Sequence, residues 1–343
     1  MFKNIQMLRA LAAFMVFCFH AVPQYRAMDG GWNAFERLAS LGFAGVDVFF
    51  VISGFVAALS TLNKDRTGAN AGEFLRRRVL RIYFGYWPMF GLALLVYAGS
   101  SAVSVSKLDL MGSFFLTNLD MSRLVLYVSW SLTYELIFYI VMAATFAMSV
   151  RKVIWCVHLA AVLLIGFLYF KLGDPLSPVQ IFLAFFLEFI FGAILFIHRK
   201  ALRSRRWIPL CILGAFIAYW TGGAQMATDG AIRIFTFGIA GFFLVTLAVV
   251  FEQSRTWITG RYLVELGDSS YTLYLVHLVL LALFATYLRG MFEGQAGFVR
   301  ELGFFSFLAF SVWISRLLYV RLELPLYAWA LGALKVRRAP SLG

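Results

Sequence analysis

Ten separate runs of mostly apolar residues, each about as long as a bilayer is thick, set the terms for this chain. A helix needs about 20 such residues to cross the hydrocarbon core, and its backbone amides must find partners inside the segment. The runs cover roughly 7–23, 38–62, 79–99, 124–149, 153–170, 178–197, 207–221, 232–251, 270–288 and 301–320. The expected fold is therefore an all-α, polytopic integral membrane protein of about ten transmembrane helices, with 1–343 as one membrane-embedded domain. The chain is 62% hydrophobic and 14% charged, where a soluble domain sits nearer half and a quarter. The loops are too short to hold a soluble domain. One further apolar stretch, 108–119, is too short to span and is expected as a re-entrant or interfacial piece.

The first run is flanked by Lys3 and Arg9 but is followed by no small-residue cleavage site, and it carries His20. It is expected as a permanent span, not a signal peptide. Cys18, Cys156 and Cys211 all lie in apolar runs without a CxxC pair, which indicates small core residues and neither a disulfide framework nor a metal site.

The formal net charge of +13 would suggest a nucleic-acid partner in a soluble protein. Here the cations sit in short loops and act as topology signals, so no nucleic acid is expected. With a cytoplasmic N-terminus, that side holds Lys3 and Arg9, and six cations between Lys64 and Arg81. It also holds Arg151 and Lys152, five from Arg199 to Arg206, Arg255 and Arg261, and five from Arg316 to Arg338. These are 22 of the 30 Lys and Arg. The positive-inside rule thus predicts that both termini are cytoplasmic. No internal repeat is visible, whereas many secondary transporters are built from one.

Ionisable groups within a bilayer are costly and face a bundle interior or a cavity. His20, Asp47, Glu135, His158, Glu188 and His277 are such groups. Arg9 and His20 are eleven residues apart, about 20° around the helix and roughly 16 Å along it, so they share a face. The plain alternative is a snorkelling arginine and a core histidine. In Gly45-Val46-Asp47-Val48-Phe49-Phe50-Val51-Ile52-Ser53-Gly54-Phe55, the small residues Gly45 and Gly54, with Gly42 before them, allow close helix approach. Asp47 in that segment needs a partner, because an unpaired carboxylate is expensive there.

Arg76, Arg77, Arg78 and Arg81 cluster at the cytoplasmic mouth of the third run. They are either positive-inside anchors or a phosphate clamp, for which guanidinium is well shaped. Ser131, Glu135 and Tyr139 recur every four residues and form a polar stripe. Asp268 or Ser269 can cap the ninth run, and Ser270, Tyr274 and His277 share a face of it. Glu323, among basic residues at the end of the tenth run, reads as half of an interfacial ion pair.

Taken together, Arg9-x10-His20, GVDVFFVISGF, RRVLRIY, WSLTYELIFY, LGDSSYTLYLVH and RLELP resemble the bacterial acyltransferase 3 family, from Gln6 to Pro325. These are membrane O-acyltransferases of cell-surface glycans. The opening NIQMLRALAAFMVFCFHA is most similar to the branch linked to exopolysaccharide acetylation. Two features depart from the family. Phe84 stands where Pro often follows Arg-Ile-Tyr, with Pro88 later, and no second, hydrolase-like domain follows the tenth run. The expectation is a membrane domain that acts alone or with a separate partner.

The resemblance implies a multi-pass protein of the bacterial cytoplasmic (inner) membrane that moves an acyl group, expected as acetyl, from cytoplasmic acetyl-CoA to a sugar hydroxyl. Acetyl-CoA would be a substrate, with no permanently bound cofactor. Implied partners are acyl-CoA, a glycan or lipid-linked sugar acceptor, the lipid bilayer and polysaccharide-assembly proteins. A hydroxyl is a poor nucleophile near neutral pH, and a histidine can take its proton. His20 is the leading base, or the carrier of a transient acyl group. Asp47 or Glu135 would orient its ring, and Arg77, Arg78 and Arg81, with Arg9, would hold the donor's phosphates. The rival is a transporter or flippase of a lipid-linked or anionic substrate, which accounts for the arginines and carboxylates but less well for His20 and the missing repeat.

Overall fold

A segment inside lipid has no water to satisfy its amides, so each long apolar run is driven to become a helix. The structure is a computed structural model and describes residues 2–99, 105–118, 120–225 and 230–336. Among them are ten helical spans long and apolar enough to cross a membrane. They are α1 (Lys3–Ala27), α2 (Asn33–Thr61), α3 (Gly68–Ala98), α4 (Tyr127–Ala147), α5 (Val150–Phe170), α6 (Pro178–Arg203), α7 (Trp207–Ala224), α8 (Gly230–Gln253), α9 (Ser270–Phe292) and α10 (Gly297–Gly332).

Each of the ten predicted runs lies on one of these spans, which extend past the apolar residues at most ends. Local chemistry accounts for some termini: Ser177 and Gln180 form a reciprocal capping box at the start of α6, with Pro178 in the first turn. Pro23 inside α1 and Pro88 inside α3 lack the amide that would bond the carbonyl four residues earlier. The free thiols divide by exposure. Cys18 and Cys211 are buried as expected, but Cys156 is exposed on α5, a helix that buries few of its residues.

The chain forms two compact units. The first comprises Met1–Val16, Leu41–Leu75 and Tyr134–Asp268. Its core is the close pairing of α2 with α6. A Cβ at Gly54 would overlap the Phe189 carbonyl, and one at Gly192 would overlap the Val51 carbonyl. A Cβ at Gly45 would likewise clash with the backbone of Ala12. In lipid, where apolar surface gains little from helix contact, such backbone-to-backbone packing supplies the association energy. Val51, Phe55, Phe196, Val245 and Val249 fill the space around it.

The second unit comprises Phe17–Ser40, Arg76–Thr133 and Ser269–Gly343. It contains the stretch expected to be re-entrant or interfacial, of which Leu119 lies outside the described residues. A short helix, Leu110–Phe114, is capped there by the Asp109 side chain. Three donors of α3 satisfy the backbone that follows. The Tyr86 and Tyr83 hydroxyls donate to the Ser113 and Phe115 carbonyls, each at 2.8 Å, and the Trp87 indole donates to Phe114 at 3.2 Å. Non-helical backbone buried in a membrane protein needs such protein-supplied partners.

Within this unit the Tyr271 ring fills a notch that only a glycine at 85 leaves open, and its hydroxyl donates to the Ile82 carbonyl at 2.9 Å. Among the described residues of both units, three spans widen by one π turn, at Ile234–Gly238 in α8, Phe284–Leu288 in α9 and Tyr319–Glu323 in α10. Such bulges often occur where a helix carries function. Glu323 differs from its expected interfacial place. It is buried and accepts a hydrogen bond from the Thr272 hydroxyl.

Candidate active site

His20 on α1 is half-buried, and His277 on α9 is fully buried. His277 Nε2 and His20 Nδ1 are 3.2 Å apart, and His277 Nδ1 lies 3.2 Å from the Leu273 carbonyl. A carbonyl can only accept, so in the neutral ring His277 carries its hydrogen on Nδ1 and a lone pair on Nε2. His20 must then donate from Nδ1, which leaves its own lone pair on Nε2, at the far edge of the ring. The pair thereby fixes which nitrogen of His20 is basic. Phe19 and Tyr127 flank His20 with ring centroids 5.0 and 6.3 Å away, and Phe17 lies 5.8 Å from His277.

One turn before His277, the Tyr274 hydroxyl lies 2.8 Å from the Ser131 hydroxyl, and both reach the Val128 carbonyl, at 3.0 and 3.1 Å. This joins the start of α4 to α9. Ser270, on the same helix, is buried and its hydroxyl has no hydrogen-bond partner. The predicted cap of α9 is corrected. Ser269 holds the capping position without a side-chain cap bond, and Asp268 instead accepts from the Gln6 amide at 2.6 Å.

Arg77 is exposed, and Arg76, Arg78 and Arg81 are half-buried on α3. Arg81 shares a helix face with Arg77 and Arg78, four and three residues before it. The bond from Tyr271 to Ile82 fixes their level within the unit: Tyr271 precedes His277 by six residues, about 9 Å of helix rise. Arg9, on α1, donates to the Gln6 side chain at 3.1 Å.

The intramembrane carboxylates have their own partners in the first unit. Asp47 is fully buried and takes two bonds from Arg233, at 3.1 Å from Nε and 2.8 Å from Nη2. The guanidinium lies between the Phe43 and Phe185 rings, at 4.9 and 5.0 Å. Arg233, the second residue of the eighth run, is thus a buried residue with a specific task. Glu188 is also fully buried, and its carboxyl interacts with both Asp47 and Arg233. Glu135 accepts from the Ser53 hydroxyl at 2.9 Å and from Tyr139 one turn later. His158 pairs with His198, Nε2 to Nε2, at 2.9 Å near the surface. The ring partner found for His20 is therefore an imidazole, and the sequence reading had not matched the two histidines.

Comparison with known proteins agrees with this architecture. The acyltransferase 3 model, described as an acyltransferase domain, matches residues 2–320. The acyltransferase MdmB of Streptomyces mycarofaciens is 27% identical over 336 residues, covering 86% of this chain and 81% of that protein. The exopolysaccharide production protein ExoZ of Rhizobium meliloti (strain 1021) is 29% identical over 256 residues, covering 69% of this chain and 76% of that protein. No solved structure matches. A family match over nearly the whole length, on ten membrane helices that carry a paired histidine site, makes this chain a member of the acyltransferase 3 family and a membrane acyltransferase.

Proposed function

We propose that the protein transfers an acetyl group from acetyl-CoA to a sugar hydroxyl of an exported or cell-surface glycan, with His20 as the general base and 1–343 acting as one catalytic domain. The observation that carries this reading is the His20–His277 pair, because it leaves the lone pair on His20 Nε2. The acceptor hydroxyl gives its proton to that nitrogen as its oxygen attacks the thioester carbonyl. The carbon–sulfur bond then breaks, and the departing thiolate takes the proton back from His20. One hydroxyl and one thioester give one ester and one thiol. His277 stabilises the imidazolium by accepting from its Nδ1–H, as an orienting partner does in general-base catalysis.

Arg77, Arg78 and Arg81 hold the donor's phosphates, since guanidinium matches phosphate through forked hydrogen bonds. Asp47 and Glu135 position helices of the first unit, through Arg233 and through Ser53 and Tyr139. The charge bias of the loops supports cytoplasmic termini and a cytoplasmic donor, in a bacterial inner membrane. The name of the exopolysaccharide production relative supports an exported polysaccharide as acceptor.

The test uses purified protein in detergent with acetyl-CoA and the exported polysaccharide of its own cell, measuring free thiol and sugar ester together. Equal amounts of both are expected from the parent protein. Arg78→Lys and Arg81→Lys should each weaken acetyl-CoA binding about tenfold, because lysine keeps the charge but loses the fork. Thiol release without ester would overturn the acceptor assignment, and unchanged affinity in both variants would overturn the clamp.

A further inference from the structure

Arg289, near the end of α9, is half-buried and lies 3.5 Å from the Gln24 side-chain oxygen through Nη1. That contact is at the outer limit of a hydrogen bond, and it engages one of the five N–H groups of a guanidinium. Among the described residues no carboxylate pairs with Arg289. Arg233, by contrast, has both oxygens of Asp47. A half-buried guanidinium with four idle donors is poised for a planar oxyanion from outside the chain.

The neighbourhood ties this group to the reacting centre. Gln24 follows His20 by four residues, so the two share a face of α1 with about 6 Å of rise between them. Tyr127, with its ring edge-on to His20 at 6.3 Å, is 47% exposed and offers an apolar face beside the base. Along α9 the order is Tyr271, bonded next to Arg81, then His277, then Arg289. The histidine pair thus lies between the arginine cluster of α3 and Arg289. A donor held at one end leaves the other for the acceptor.

We infer that Arg289 and Gln24, with Tyr127, form an acceptor subsite for a sugar bearing an oxyanion, a carboxylate or a phosphate, about one sugar unit from the hydroxyl that reacts at His20. This rests on the acetyl-transfer reading for its orientation and makes the acceptor an acidic glycan. The guanidinium holds the anion, the Gln24 amide bonds ring hydroxyls, and the Tyr127 ring covers the sugar's C–H face.

Binding is measured by saturation-transfer NMR on the full-length protein in detergent. The probes are trigalacturonic acid, its carboxyl-reduced trisaccharide, and farnesyl diphosphoglucose. The first and third separate a carboxylate in the polymer from a phosphate of a lipid carrier. The parent protein should bind at least one anionic probe about ten times more tightly than the neutral one. Arg289→Gln should abolish that preference and Arg289→Lys should keep part of it, with acetyl-CoA binding unchanged in both. His20→Ala should retain the preference, because binding does not need the base. Equal binding of all three probes by the parent, or a preference that survives Arg289→Gln, overturns the inference. Arg289-dependent binding with no acetyl transfer from the parent protein would instead count against the acetyl-transfer reading alone.

Discussion

Replacing Arg233 with methionine leaves the Asp47 carboxylate fully buried in a membrane helix without the cation that holds both its oxygens. Glu188, equally buried in the same bundle, interacts with both Asp47 and Arg233 and adds a second carboxyl to the site. Breaking a buried pair by removing one member costs about 3–5 kcal/mol, whereas replacing both with apolar groups is often near neutral. Arg233→Met and Asp47→Leu should therefore each lose several kcal/mol, and the double variant should recover most of that loss. With the double variant near neutral, the coupling expected between them is the sum of the two single losses, roughly 6–10 kcal/mol. Total stability of about 5–15 kcal/mol makes either single change large. Reversible unfolding in mixed micelles, followed by the fluorescence of the nine tryptophans, measures all three variants. A double variant that loses the sum of the two singles, or a silent Arg233→Met, would refute the argument.

Two further outcomes are expected. His277→Phe keeps the ring volume but removes the acceptor for His20 Nδ1–H, so kcat should fall on the order of 10- to 100-fold with the KM for acetyl-CoA unchanged; steady-state kinetics checks this, and equal loss in both parameters would indicate a packing role. A reporter fused after Gly343 should report cytoplasm and one inserted in the loop around 222–229 the outside, and the reverse would contradict both the orientation and the cytoplasmic donor.

The spans were legible because a bilayer imposes one length and one composition on every crossing element. The glycine notches at 45 and 54 were legible for a related reason, since small residues are what lets helices close in lipid. The pairings were not. His20 meets His277 across 257 positions of sequence, and Asp47 meets Arg233 across 186. Helical periodicity says which face a residue occupies on its own helix, and nothing about which distant helix covers that face. A buried Asp47 did demand a cation, but nothing in the sequence singled out Arg233, 186 positions away, as that partner. The short stretch after Leu108 was recognised as too short to span, yet its support by Tyr83, Tyr86 and Trp87 depends on a fold that brings α3 beside it. Glu323 misled for the opposite reason: basic neighbours in sequence suggested an interface, while the Tyr319–Glu323 turn carries it into the interior.

The central claim is that His20 acts as a base. His20→Gln retains polarity and much of the volume but cannot take up a proton at neutral pH. Glycan acetylation by this variant, at membrane abundance matched to the parent, is the most direct measurement. The account predicts a loss on the order of 100-fold or more, equal to that of His20→Ala. Near-parental acetylation by the Gln variant would remove His20 from the chemistry and leave the pair with His277 as a structural contact only.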